Sequence, residues 1–400
     1  MSKVILDISR LISRMRHSTP SGVDRVEMAY ARGLLARYGN DLVFAAVHPT
    51  GLYGRVRRKA ALAYLDELER RWATEDGRPK QRSLLSILPG LLALLPTSTR
   101  VGNDRGAVYV QASPHHLLRA GKVRRILARE RAKFLCMVHD LIPIEFPEYA
   151  RPAGAEQHRK RMRTVAALCD AVIVNSASTG RSLEQWIEGE GGVSPRIHVA
   201  LLGTEEVASS APAGSHDGRP YFICLGTIEP RKNHLLLLNL WRKMAETMPR
   251  DSIPRLVVIG RRGWENEQII DMLERCPALQ GLVDEVNGCS DTRMASLLRG
   301  SRALLMPSFA EGYGMPVAEA LSVGTPVVCS DLAALREVGA KAPDYLDPLD
   351  GAAWLAAILD HAAAGPMHEA QLQRLPAWRN PSWEEHMDIV AGAIAELQNS

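Results

Sequence analysis

The sequence predicts an α/β protein built from two doubly wound domains. Short Val- and Ile-rich runs alternate with longer helical patterns along all 400 residues, and such alternation yields parallel sheets covered by helices on both faces. A stretch of small residues, "VASSAPAGSHDGRP" at 207–220, divides the series near its middle and reads as a linker. Nearly half the chain, 46%, is apolar, which is enough for two buried cores.

The elements follow in order. In the first half, strands are expected at 4–8, 42–47, 107–111, 134–138, 171–175 and 197–200. In the second they are expected at 221–225, 255–259, 283–286, 303–306 and 326–329, with a short one at 345–346. The first domain therefore covers 1–206. Within it, 51–103 is less regular: basic ("RVRRKA"), helical over 62–72, basic again ("GRPKQR"), then apolar with Pro89 and Pro96. It reads as an insertion, either a small helical subdomain or a patch for an anionic membrane surface. In doubly wound domains ligands sit beyond the carboxyl ends of the strands, so residues directly after strands are the candidates.

Composition narrows the partners. Six cysteines, at 136, 169, 224, 276, 289 and 329, form no CxxC pair, which argues against zinc or redox motifs and for a reducing compartment. The opening "MSKVILDISRL" is too short in its apolar run for a signal peptide, and no run is long enough to cross a bilayer. The net charge of +4 conceals an asymmetry: residues 1–200 hold 32 Lys and Arg against 19 Asp and Glu, a net +13, whereas 201–400 hold 17 against 26, a net −9. Different partners for the two halves are one explanation, an unevenly charged solvated surface another.

Four stretches carry chemistry. In "PSFAEGYGMPVAEALSVGTPVVCSD", 307–331, Glu311 precedes a glycine-rich turn, Pro316 suits a first helical turn, and Glu319 lies one turn into the helix. Helix N–H groups beside such a turn make an anion site. A dinucleotide-binding reading competes here, since Gly312 and Gly314 follow a strand and Asp331 ends the next one. Against it, Val317 stands at the third glycine position and the helix is short.

In "FICLGTIEPRKNHLLLL", 222–238, a strand ends at Gly226, and Arg231 and Lys232 open an apolar helix, where two cations can neutralise a diphosphate. In "FLCMVHDLIPIEFPEY", 134–149, a strand delivers His139 and Asp140 to its carboxyl end, a catalytic pair or simply a hydrogen-bonded one. In "SRLISRMRHSTPSGVDRVEMAY", 9–30, a loop leads to Gly22 and an amphipathic helix carrying Arg25, with Ser21 as the expected N-cap. No D-x-D occurs, so the common two-carboxylate seat for a metal-bound diphosphate is missing.

With these residues in view, the chain resembles the GT-B glycosyltransferases of family 4, the glycosyl transferases group 1 of retaining nucleotide-sugar enzymes. "PSFAEGYGMPVAEALSVGTPVVCSD" is similar to that family's E-x7-E element, "GTIEPRKNH" to its basic loop, "HDLIPIEFPE" and "AVIVNSAST" to first-domain motifs, and "PSWEEHMDIV" to its closing helix. The resemblance implies two Rossmann-like domains facing a cleft, with 221–381 binding the nucleotide sugar and 382–400 returning to the first domain.

It also implies roles. Glu311 would contact the donor sugar, Glu319 the ribose, and Arg231 and Lys232 the diphosphate. His139 would sit beside the sugar and Gly22 near the phosphates. Gly226, Thr227, Gly312, Tyr313, Gly314 and Met315 would line the donor, with Val286 and Asn287 near the base. Asp140 and Arg25 are the acceptor candidates. Thr227 departs from the Arg common at its position, and the "GTIEPRKN" form resembles the branch with many mannosyltransferases of surface polysaccharide assembly, which leans towards GDP-mannose.

The expected activity is retaining, metal-independent transfer of a hexose to a hydroxyl of a glycan or lipid-diphosphate-linked glycan. The expected setting is the cytoplasm, with peripheral contact to the inner membrane surface, and no resident cofactor or nucleic acid is expected. A nucleotide-sugar epimerase on the same fold, a non-catalytic scaffold of a polysaccharide-assembly complex and a dehydrogenase are the rival readings.

Overall fold

A computed structural model describes residues 3–17, 20–74, 83–97, 106–204 and 218–400. Of the expected linker, 207–217 lies outside the described residues, as do 77–82 of the second basic run. The described residues divide into two units: one runs up to Gly203, without Thr74, and includes Ser382–Ser400, and the other is Thr204–Pro381 together with Thr74.

The first unit holds a seven-stranded sheet. Its strands are β1 Val4–Asp7, β2 Leu42–Val47, β3 Tyr53–Arg55, β4 Ala107–Gln111, β5 Ala132–Val138, β6 Ala171–Val174 and β7 Arg196–Val199, arranged in the order β3-β2-β1-β4-β5-β6-β7. All neighbours are parallel except β2 and β3. β1, β4 and β6 are buried along their whole length, as continuous apolar runs in a doubly covered parallel sheet must be. Ile5, Tyr109, Phe134, Val172 and Leu183 meet in one core.

The stretch at 51–103 differs from expectation in content. It contributes β3, an antiparallel edge strand, and a helix Arg58–Thr74 longer than the one anticipated. A second helix, Leu84–Ala93, holds Pro89 in its interior.

The second unit holds a six-stranded, all-parallel sheet. Its strands are β8 Tyr221–Leu225, β9 Arg255–Ile259, β10 Val283–Val286, β11 Ala303–Met306, β12 Val327–Ser330 and β13 Asp344–Leu346, in the order β10-β9-β8-β11-β12-β13. Counted from its first strand this is the 3-2-1-4-5-6 order, whose direction of winding reverses between β8 and β11. Its core is anchored by Trp241 and Trp354, both fully buried. Each indole N–H finds a carbonyl, of Pro254 at 2.8 Å and of Asp347 at 2.9 Å, so neither large ring leaves a donor unpaired.

The last helix, Trp383–Asn399, belongs to the first unit. Ser382 caps it through the Glu385 amide, and Met387, Val390, Ala393, Ile394 and Leu397 are buried. His386 is 1% exposed, with Nδ1 3.1 Å from the carbonyl of Ala200 and Nε2 3.0 Å from the Tyr30 hydroxyl. Gly203 is required where this helix enters, because a Cβ there would lie 2.2 Å from the Trp383 amide nitrogen.

Candidate active site

The winding reversal of the second unit brings together two loops far apart in sequence. β8 is followed by Gly226, whose φ of +145° and contact with Lys232 (3.3 Å from an added Cβ to Cε) both favour glycine. The chain then makes a 3-10 turn, Pro230–Lys232, and passes through Asn233 in the left-handed region before the helix His234–Thr247. Arg231 and Lys232 therefore lie in the turn before the helix, not in its first residues. From the neighbouring β11 comes the loop to Glu311, docked to the turn by the Phe309 amide on the Arg231 carbonyl at 2.9 Å.

Two carboxylates and two cations alternate here. Lys232 Nζ donates to Glu311 Oε1 at 2.6 Å, and Arg231 Nη1 lies 3.0 Å from Glu311 Oε2. Arg231 also donates from Nε and Nη2 to Glu229 Oε1, at 3.0 and 2.7 Å, and from Nη1 to the Ala310 carbonyl at 2.6 Å. The side chain of Glu311 is only 7% exposed. Burial alone would raise its pKa, but Arg231 and Lys232 outweigh burial and hold it down at about 2. Glu311 is thus a fixed carboxylate at neutral pH.

The two cations are not equivalent. Arg231 spends Nε, Nη1 and Nη2 inside the protein, which fixes its position; Lys232 spends one bond on Glu311, leaving ammonium hydrogens for a ligand. Both cations also neutralise Glu311. His234 beside them is buried, and burial together with Lys232 lowers its pKa to about 4.

After Glu311 the chain turns through Gly314 into the helix Met315–Ser322, with Pro316 in its first turn. Gly314 has φ +103°, and a Cβ there would lie 2.3 Å from Leu335 Cδ2, so conformation and space both require glycine. Gly312 and Tyr313 form the turn, Tyr313 being buried, and Glu319 is half-buried within the helix. The dinucleotide reading loses further ground. Its Gly-x-Gly follows β11 and not the first strand of the sheet, and Asp331 is engaged by Arg336 through a two-bonded ion pair.

Farther along the same carboxyl edge, a cavity of about 610 Å³ is lined by Arg262, Glu274, Glu285, Val286, Asn287, Gly288 and Arg293. Val286 and Asn287 are among these, and Asn287 Oδ1 is buried with no partner among the described residues. Arg262 forks onto Glu285, at 2.8 and 2.7 Å, and also reaches Glu274 at 2.5 Å. Thr227 follows Gly226 and is packed so that a Cβ on Gly263 would meet its methyl at 2.8 Å.

The remaining candidates belong to the first unit. His139 follows β5, its Nε2 2.8 Å from the Ala112 carbonyl; burial lowers its pKa. Its own carbonyl accepts from Asn175 Nδ2 at 2.9 Å. Asp140 Oδ1 accepts from the Ile142 amide, two residues on, at 3.2 Å. Ser21 is the N-cap of the helix Gly22–Tyr38 in a reciprocal capping box with Asp24. Gly22 is that helix's first residue, and Arg25 is half-buried in its first turn. Glu229 and Arg262 were not anticipated. Glu229 was visible in "TIEPRKN", two positions before the arginine it holds, but nothing local distinguishes it from a solvated acid.

Two doubly wound units of this order, one with a charged site at its winding reversal, define the GT-B fold. Sucrose-phosphate synthase from Thermosynechococcus elongatus is similar over 99% of both chains with a TM-score of 0.64 at 17% identity. Within that class, residues 208–342 match the family "Glycosyl transferases group 1". The serotype-specific mannosyltransferase WbdA of Escherichia coli is 29% identical over 230 residues, 52% of this chain and 27% of the relative. The O-antigen chain mannosyltransferase B of Escherichia coli is 34% identical over 167 residues, 41% of this chain and 42% of the relative. The matched part thus spans less than half the length of either relative.

Proposed function

We propose that the protein is a hexosyltransferase that moves a sugar, mannose from GDP-mannose as the leading reading, to a hydroxyl of a glycan or lipid-linked glycan in surface polysaccharide synthesis. One observation carries the reading: Glu311 is held ionised between Arg231 and Lys232 at the winding reversal of the second unit. A hexose has hydroxyls for a fixed carboxylate to accept from, and a diphosphate has charge for the ammonium of Lys232 to meet. The mannosyltransferase names of the relatives support the choice of sugar.

In the proposed step the bond from the anomeric carbon to the diphosphate oxygen breaks, and the acceptor oxygen bonds to that carbon on the same face. The acceptor proton passes to the departing phosphate oxygen. Charge grows on the diphosphate as the sugar becomes oxocarbenium-like, so preorganised donors aimed at it supply the largest part of the acceleration. Lys232, helix N–H groups near Met315 and Arg231 fill that role without a divalent metal. Glu319 binds the ribose and the cavity at Val286–Asn287 takes the base; of the first unit's candidates, Asp140 and Arg25 serve the acceptor, His139 the sugar and Gly22 the phosphates. Six free cysteines fit a cytoplasmic setting for a nucleotide-sugar enzyme.

The test is incubation with labelled GDP-mannose, UDP-glucose and UDP-N-acetylglucosamine, each with and without lipid-diphosphate glycan acceptors and in EDTA. Transfer from GDP-mannose to an acceptor, with retained anomeric configuration, is expected. Conversion of a nucleotide sugar without acceptor would replace the reading with an epimerase. Loss of transfer in EDTA, restored by a divalent ion, would remove the metal-free part.

A further inference from the structure

The least explained surface of the protein is the helix Leu84–Ala93 in the first unit. From Ser83 to Pro96 the sequence holds no charged residue. One side of the helix is accounted for: Ile87 is 5% exposed, Leu94 just beyond its end 1%, and Gly90 rests near the Met15 thioether, 3.4 Å from an added Cβ. The other side is not. Leu85 is 83% exposed, Leu88 48% and Leu92 55%, and Pro89 is exposed with them.

These four stand at i, i+3, i+4 and i+7, one continuous stripe of an α-helix. The turn that follows β2 adds a fourth leucine. His48 Nε2 lies 3.1 Å from the Leu91 carbonyl, which ties that turn to the helix, and Leu52 in it is 61% exposed.

We propose that this face is a membrane-docking surface, with the helix lying in the interface of an anionic phospholipid bilayer and Leu85, Leu88, Pro89 and Leu92 inserted among the acyl chains. Its length excludes crossing: ten residues extend about 15 Å, roughly half a hydrocarbon core. Its surroundings favour lipid over a protein partner. The stripe has no aromatic anchor of the kind that dominates protein interfaces, where leucine is under-represented.

Cations stand beside it in space and in sequence. Arg57 is exposed and donates to the Ala93 carbonyl at 3.3 Å, so it stands at the end of the helix, and Lys59 beyond it is exposed. In the sequence Arg78, Lys80 and Arg82 lead into Ser83. Leucines framed by Lys and Arg are what an anionic interface binds, the apolar side chains by burial and the cations by attraction to headgroups. Docking there would hold the protein at the surface that displays a lipid-linked acceptor. That consequence rests on the proposed function; the docking itself does not.

The experiment is sedimentation of the full chain with vesicles of phosphatidylcholine alone and with about one third phosphatidylglycerol. Binding to the anionic vesicles, weaker at high salt, is expected. The triple variant Leu85→Ser, Leu88→Ser, Leu92→Ser should bind roughly tenfold or more weakly, since three exposed leucines no longer enter the interface. Because these side chains are exposed, its thermal midpoint should match wild type. Leu88→Trp, read by fluorescence, should shift to the blue on anionic vesicles only.

Equal vesicle binding by wild type and the triple variant would overturn the proposal, as would an unshifted tryptophan. So would a wild-type dimer, seen by sedimentation velocity without lipid, that the triple variant abolishes, since a second copy would then own the face. Transfer to a soluble acceptor should be unchanged in the triple variant, so a failed docking test leaves the enzymatic reading standing and the reverse.

Discussion

Lys232 and Glu311, 79 positions apart in the chain, meet at 2.6 Å across the gap between β8 and β11. The pair joins the two loops of the candidate donor site and helps to hold Glu311 ionised. Truncating the lysine removes the cation with donors to spare and leaves Glu311 to Arg231 alone. Lys232→Ala is therefore expected to lower kcat by about a hundredfold or more, with a smaller change in donor KM. Initial rates with saturating acceptor check this, and near-normal turnover would remove the diphosphate assignment.

The same pair predicts a pH dependence. Glu311 has a folded pKa of about 2 against an ordinary 4.5. A depressed carboxylate contributes stability that is present above pH 4.5 and is lost as pH falls from 4.5 towards 2. Urea unfolding of wild type and Glu311→Gln across that window should show a shallower acid slope in the variant. Parallel slopes would mean the carboxylate is not held as described.

In the first unit the titration lies higher. His115, His116, His139, His158 and His386 all have lowered pKa values, with burial the leading cause, and His116 and His386 stand near 4. A histidine whose folded pKa is lowered takes up protons on unfolding as pH falls below 6.5, so stability falls as pH drops from 6.5 towards 4. Calorimetric unfolding at pH 5.5, in buffers of different ionisation enthalpy, should register net proton uptake. Release, or no exchange, would contradict it.

Gly314→Ala tests the turn. A methyl group would have to adopt φ +103° and displace Leu335, so a loss of about 1–3 kcal/mol is expected, together with weaker donor binding. Thermal unfolding with and without GDP separates the two effects. An unchanged midpoint would show that the turn accommodates a side chain.

Glu319→Ala should act on binding more than on turnover. If the carboxylate holds the ribose hydroxyls, donor affinity measured calorimetrically with GDP-mannose falls about tenfold or more while the acceptor KM stays constant. Unchanged affinity would assign Glu319 to the local structure of its helix.

Much of this molecule is readable in its sequence because parallel strands buried on both sides are continuous apolar runs. Runs such as 107–111 and 255–259 coincide with β4 and β9 for that reason. β3 escaped because Tyr53-Gly54-Arg55 is a three-residue edge strand whose two larger side chains are half-buried, too short to display a period. In the site, the glycines and the glutamates could be found by position. The pairing of Glu311 with Lys232 could not, since strand order alone brings them together. Glu229 and Arg262 likewise acquire meaning only from partners supplied by the fold.

The helix Trp383–Asn399 completes the core of the first unit, although the whole second unit separates it from the rest of that core in the chain. During synthesis, then, the unit that begins first finishes last. Until the ribosome has passed residue 399, Tyr30 and the faces of β4 to β7 that this helix contacts wait uncovered. A message truncated anywhere before that helix yields a first unit with an open flank, so quality control has a hydrophobic surface by which to recognise an incomplete chain.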